Sequence, residues 1–151
     1  LHQGTIRRGK GLFAFNAFKE SEEIVNLQDR FPYILTTNRN LEHYNCGAQT
    51  RRTANVEIVT EDVIFIHPDD AAEHGIEDMD IVCVESERGK IDIKAKVSDE
   101  IKQGVLSTTF HFPEVMVNDL TSDVHDTEAM CPEYKVVSVS IRKARKVVSR
   151  V

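Results

Sequence analysis

The sequence predicts a mainly β domain, a small β-barrel, and three observations carry that expectation. Short apolar runs bounded by turn residues recur along the 151 residues often enough for at least six strands. Only one segment carries complete helix start and stop signals. Two long stretches, 38–55 and 111–132, show no period, and loops of that length inside a compact domain are usually functional or disordered. The length fits one domain, or one domain with tails, able to bury a core without disulfides or structural metal.

Taken in order, residues 1–30 read as an arm leading into the fold rather than as core. Gly4, Gly9 and Gly11 interrupt a basic stretch, and Phe13, Phe15 and Phe18 follow without a clean period, placed to pin the arm against something larger. The acidic segment from Glu20 to Asp29 fits a short helix. After Pro32, Tyr33–Thr37 has the aromatic and β-branched content of a buried strand. Val63–Ile66 is a second. Proline near the start, acids in the first turn and Gly75 at the end make residues 67–75 a two-turn helix. The segment 80–86, a Gly-containing break at 87–90, and the strictly alternating Ile91–Val97 form a hairpin. Val105–Phe110 and Tyr134–Ile141 supply the remaining strands. The apolar content of 111–132, including Phe112, Met116 and Leu120, argues for an ordered loop.

Composition excludes several functions. Charged residues are 29% and hydrophobic ones 40% of the chain, which is globular rather than disordered. The longest apolar runs are about five residues against the ~20 a membrane helix needs, and no signal-peptide pattern is visible. A net charge of −6 argues against general nucleic-acid binding. Residues 57–100 hold fourteen acids against four bases and read as a solvated face. The basic tail, with Arg142, Lys143, Arg145, Lys146 and Arg150, reads as a terminus that docks on something acidic. Cys46, Cys83 and Cys131 form no C-x-x-C pair, which speaks against a disulfide framework or zinc site and for a reducing compartment.

Chemistry concentrates on loops that a rigid scaffold positions. The first loop brings Arg39, Arg51 and Arg52 together with His43 and several amide and hydroxyl groups. Guanidinium groups suit bidentate phosphate binding, and Asn, Gln and Thr suit the edge of a purine or pterin ring; a plain polar surface loop has the same composition. Cys46 beside His43 has the residue types of a covalent catalyst but lacks a third member and an oxyanion site. His111 and His125 with Asp123 and Asp126 match no metal-ligand spacing, so a hydrogen-bonding or solvated role is expected of them. From the residues alone the reading is an anion-binding β-barrel domain.

The order of motifs adds to this. Leu1-His2, Arg8–Gly11, Tyr33–Arg39, His43-Tyr44, Thr50–Arg52, Asp69–Ala71, Gly75-Ile76, Arg88-Gly89, Phe110–Pro113, Asn118–Thr121 and Pro132–Lys135 together resemble the C-terminal dinucleotide-binding domain of molybdopterin oxidoreductases, most closely that of formate dehydrogenase alpha subunits. The resemblance implies a six-stranded double-psi β-barrel, with one or more short helices and long irregular loops, closing over bis(molybdopterin guanine dinucleotide). It makes Thr37, Arg39, His43, Asn45 and Thr50 candidates for pterin and phosphate contacts, joined by Asn118 in the second loop and Tyr134 and Lys135 at the start of the last strand. Many relatives read His-Thr-Gly-Thr-Met where this chain has Asn45-Cys46-Gly47-Ala48-Gln49. Asn38 stands for a frequent glycine and tolerates the left-handed backbone a glycine would supply.

The same resemblance implies an arm at 1–30, a cofactor-binding barrel at 31–142 and a basic tail at 143–151, together the C-terminal piece of a longer cytoplasmic subunit. The ligand of the molybdenum or tungsten, the catalytic residues and an iron–sulfur cluster are expected elsewhere in that subunit, with an electron-transfer subunit as partner. Alone, the domain is expected to bind and position rather than catalyse. The rival readings are the same cofactor domain in a nitrate reductase or formylmethanofuran dehydrogenase, and a double-psi barrel serving as a protein-interaction module.

Overall fold

The computed structural model describes Gly9, Gly11 and residues 13–144; the first residues of the arm and all but the start of the basic tail lie outside these. Six strands close into a barrel: β1 Tyr33–Thr37, β2 Val63–Ile66, β3 Ile81–Glu85, β4 Lys90–Val97, β5 Val105–Thr108 and β6 Val137–Lys143. Their order around the barrel is β1-β5-β2-β4-β3-β6. β1 pairs in parallel with β5, and β2 with β4, while the other four junctions are antiparallel. This is the double-psi barrel that the resemblance implies. Closure leaves none of the six with an unpaired edge.

Alternation places the core. Tyr33, Leu35 and Thr37 of β1 and Ile91, Ile93 and Ala95 of β4 point inward, where Ile64, Ile66, Val82, Val84, Leu106, Val137 and Val139 complete a fully buried centre. Helix α3, Pro68–Glu73, has proline in its first turn, Asp69 and Asp70 beside it, and His67 as N-cap, its Nδ1 accepting from the Asp69 N–H at 3.2 Å. Asp70 is buried and accepts from the Gly104 N–H at 2.7 Å, tying α3 to the β4–β5 turn. Helix α1, Glu22–Leu27, is capped by Ser21. Short turns of helix occur at α2, Asn55–Ile58, and as 3-10 helix at Thr50–Arg52 and Val117–Leu120.

Five expectations need correction. Phe13, Phe15 and Phe18 pin nothing among the described residues: each is almost fully exposed, and the arm is held instead by the buried Glu23. The acidic stretch is not wholly a solvated face, since Asp62 and Asp70 are buried with hydrogen-bond partners. β5 stops at Thr108 because Thr109 to Phe112 turn away to the Asp62 carboxylate, and β6 begins at Val137 rather than Tyr134 because residues 134–135 are drawn toward Thr37. Asn38 does not take the left-handed conformation; Asn45 does, with φ 50°.

The strand directions decide where function can sit. β1, β3 and β5 end, and β2, β4 and β6 begin, at one mouth of the barrel. The β1–β2 loop, the β3–β4 turn and the β5–β6 loop therefore emerge together. Helix α3 and the β4–β5 turn occupy the opposite mouth.

Candidate functional site

All eight residues singled out in the sequence lie in segments of that one mouth. Three of them converge closely. The Thr37 hydroxyl donates to the Tyr134 carbonyl at 3.1 Å, and the Lys135 ammonium donates to the Thr37 carbonyl. β1 and the run into β6 are thus locked side by side, with Thr37 buried and Tyr134 half-exposed.

His43 and Thr50 also meet, but face inward. His43 is buried; its Nδ1 lies 3.0 Å from the Thr50 hydroxyl, and its Nε2 lies 2.9 Å from the Val59 carbonyl. A carbonyl only accepts, so Nε2 carries the proton and the Thr50 hydroxyl donates to Nδ1. The Tyr44 N–H in turn donates to the same hydroxyl at 3.3 Å. Edge-on packing against Phe112, with ring centroids 5.1 Å apart, fixes the imidazole further. Both ring nitrogens are committed to the loop itself.

The remaining candidates point outward. Arg39 is exposed, its guanidinium 5.1 Å from the centre of the Phe110 ring, with no carboxylate partner among the described residues. Arg51 differs: it pairs with Glu114 at 2.5 Å and lies over Phe112, and this bond holds the Glu114 carboxyl below its usual range. Asn45 is exposed at a left-handed position, and Asn118 is exposed on the 3-10 turn after Met116. Their side-chain amides have no hydrogen-bond partner among the described residues.

What orients these groups was not read from the sequence. Asp62 is buried just before β2, where its Oδ1 accepts from the Thr109 hydroxyl and the His111 N–H, and its Oδ2 accepts from the Phe112 N–H at 3.0 Å. His111, completely buried, then bridges to the first loop: Nδ1–H donates to the Asn45 carbonyl, while Nε2 accepts from the Asn40 N–H at 3.0 Å. The backbone at Asn40, just after Arg39, and at Asn45 is therefore held by one imidazole, itself fixed by one carboxylate. Gly47 allows the two loops to touch. It has φ +69°, and a Cβ there would sit 2.7 Å from the His111 carbonyl oxygen. His111 takes the hydrogen-bonding role expected for it. Asp62 gave no local signal, because an aspartate before an apolar strand looks the same whether solvated or buried.

The donor set fits a dinucleotide. An uncommitted guanidinium matches a phosphate in planar, bidentate fashion, and free carboxamides match the donor and acceptor edge of a guanine or pterin. Cys46 and Cys131 are exposed free thiols, and burial pushes the Cys83 thiol up from its ordinary pKa.

Comparison with known proteins gives the family. Residues 33–138 match the family described as the Molydopterin dinucleotide binding domain. The chain is 44% identical to the F420-dependent formate dehydrogenase subunit alpha of Methanocaldococcus jannaschii, over 82% of this chain and 19% of that protein. It is 33% identical to the F420-dependent formate dehydrogenase 2 subunit alpha of Methanococcus maripaludis, over 95% of this chain and 21% of that protein. It is 36% identical to the assimilatory nitrate reductase catalytic subunit of Bacillus subtilis, over 74% and 16%. The chain thus spans about a fifth of the length of these relatives. In fold it is similar to acetylene hydratase from Pelobacter acetylenicus, with a TM-score of 0.67 at 15% identity, over 87% of this chain and 21% of that one. A six-stranded barrel with its polar loops gathered at one mouth, matched along most of its length, belongs to the molydopterin dinucleotide binding domain family.

Proposed function

We propose that this domain holds bis(molybdopterin guanine dinucleotide) in the catalytic alpha subunit of a formate dehydrogenase. What supports the reading is that Arg39, Asn45, Asn118 and the Thr37–Tyr134–Lys135 cluster all lie on loops leaving the same barrel mouth, with no ion pair for the guanidinium and no hydrogen-bond partner for either amide among the described residues. Arg39 binds phosphate, Asn45 and Asn118 read ring edges, and His43 and Thr50 act from beneath by fixing the loop. When bound, the group supplies two-electron chemistry that no protein side chain can. The metal, molybdenum or tungsten, takes its protein ligand from outside this chain.

On this reading residues 1–30 are the arm from the preceding part of the subunit, 31–142 the cofactor barrel and 143–151 a basic tail. The exposed Phe13, Phe15 and Phe18 meet the rest of that subunit. The parent oxidises formate to carbon dioxide in the cytoplasm, carries an iron–sulfur cluster elsewhere, and passes electrons to a partner subunit. Relatives named as F420-dependent support F420 as the final acceptor. The nitrate reductase similarity supports a second reading, in which the same cofactor serves nitrate reduction. No helix among the described residues is long and apolar enough to cross a membrane.

Calorimetric titration with guanosine diphosphate, and adenosine diphosphate as control, tests the binding role. Selective binding of the guanine nucleotide, weakened in Asn118→Ala, is expected. Selective capture of unfolded peptide, with neither nucleotide bound, would favour an interaction module and overturn the assignment.

A further inference from the structure

The least expected ion pair in the molecule joins the arm to the cofactor mouth. Glu23, on α1, is only 3% exposed, yet carries a carboxylate. It receives both terminal nitrogens of Arg88, at 3.0 and 2.6 Å, and also the Ser138 N–H at 3.0 Å. In this way it completes β6 beyond the point where its pairing with β3 ends at Ser140. Arg88 lies on the β3–β4 turn and donates once more, to the Leu120 carbonyl at 3.1 Å. Leu120 closes the 3-10 turn Val117–Leu120 that carries Asn118. From the other side Gly89 presses on the same turn: a Cβ there would lie 2.8 Å from the Asp119 carbonyl oxygen.

A buried carboxylate is tolerated only when its lone pairs are filled, and a bidentate guanidinium fixes orientation as well as charge. Here the fork leaves a further N–H free to reach past the carboxylate. We propose that Glu23 and Arg88 are a positioning pair that links the α1 arm to the 117–120 turn and sets where Asn118 presents its amide. The inference rests on the nucleotide reading only for what Asn118 faces. The link itself is a property of the fold.

Two substitutions separate positioning from folding. Arg88→Lys keeps a cation for Glu23 but lacks the fork and the bond to Leu120. Gly89→Ala leaves both charges in place and displaces the turn directly. Hydrogen exchange on the ligand-free chain should rise about tenfold or more in residues 117–121 in both variants, with 38–62 unchanged. Unchanged exchange in 117–121, or a uniform rise across the chain, would overturn the proposal. Guanosine diphosphate supplies the second readout. Arg88→Lys should weaken it about tenfold, and adding Asn118→Ala should cost little more, because coupled residues are not additive. Fully additive losses would count against positioning. If the unaltered chain binds neither guanosine nor adenosine diphosphate, the nucleotide reading falls, and the exchange data still decide the link.

Discussion

Asp62 and His111 organise the cofactor mouth without facing it. Asp62 accepts from Thr109, His111 and Phe112, so Asp62→Asn would set an amide N–H against a backbone N–H. Leaving one buried group unsatisfied costs about 1–3 kcal/mol, and urea denaturation should show Asp62→Asn destabilised within that range. Arg39→Ala should behave oppositely. Its side chain is exposed, so stability should stay within about 0.5 kcal/mol of the parent, while guanosine diphosphate affinity falls about tenfold or more through loss of a charged hydrogen bond. At this scale the sequence was half legible. The residue types that can touch a ligand stood out, because guanidinium and carboxamide groups advertise their chemistry. Their supports did not: Asp62, Glu23 and Arg88 are ordinary charged residues until the fold brings their partners from loops far along the chain.

Elements were read more fully, and the exceptions have physical causes. β1 and β2 begin and end where their runs of aromatic, aliphatic and β-branched residues do, and the hairpin follows its alternation. β6 breaks alternation because α1 covers its outer face, so Val137, Ser138 and Val139 are all buried. The 3-10 turns and α2 are too short to leave a period. Glycine separates two kinds of loop. Gly75, at φ +61° with open space around it, should lose about 1–2 kcal/mol on substitution by alanine. Gly47→Ala adds a collision with the His111 carbonyl to the same backbone strain, so about 3 kcal/mol or more is expected in a paired denaturation series. The β4 end carries a pH signature. The Val97 N–H, with Lys96 assisting, holds the Asp78 carboxyl below its ordinary value. A depressed folded-state pKa means stability that is present above the unfolded value and lost as pH falls through the folded one. Asp78→Asn should therefore flatten the acid limb of the stability curve; an unchanged limb would contradict it.

The whole molecule is a scaffold that delivers distant loops to one mouth. That topology could not be read from strand count alone, because six strands close in many orders; the ordered motifs supplied it. Two parallel pairs bring the ends of β1 and β5 and the starts of β2 and β4 together, which is why loops separated by about seventy residues share His111. With Phe13, Phe15 and Phe18 exposed, sedimentation should show concentration-dependent self-association that disappears when all three become serine.

The proposed function puts a guanine nucleotide at the mouth where odd strands end and even strands begin. Hydrogen exchange with and without guanosine diphosphate tests it most directly. Protection is expected in 38–50, 117–120 and 134–136, with none from adenosine diphosphate. Protection centred instead on α3 and the β4–β5 turn at the opposite mouth would contradict it.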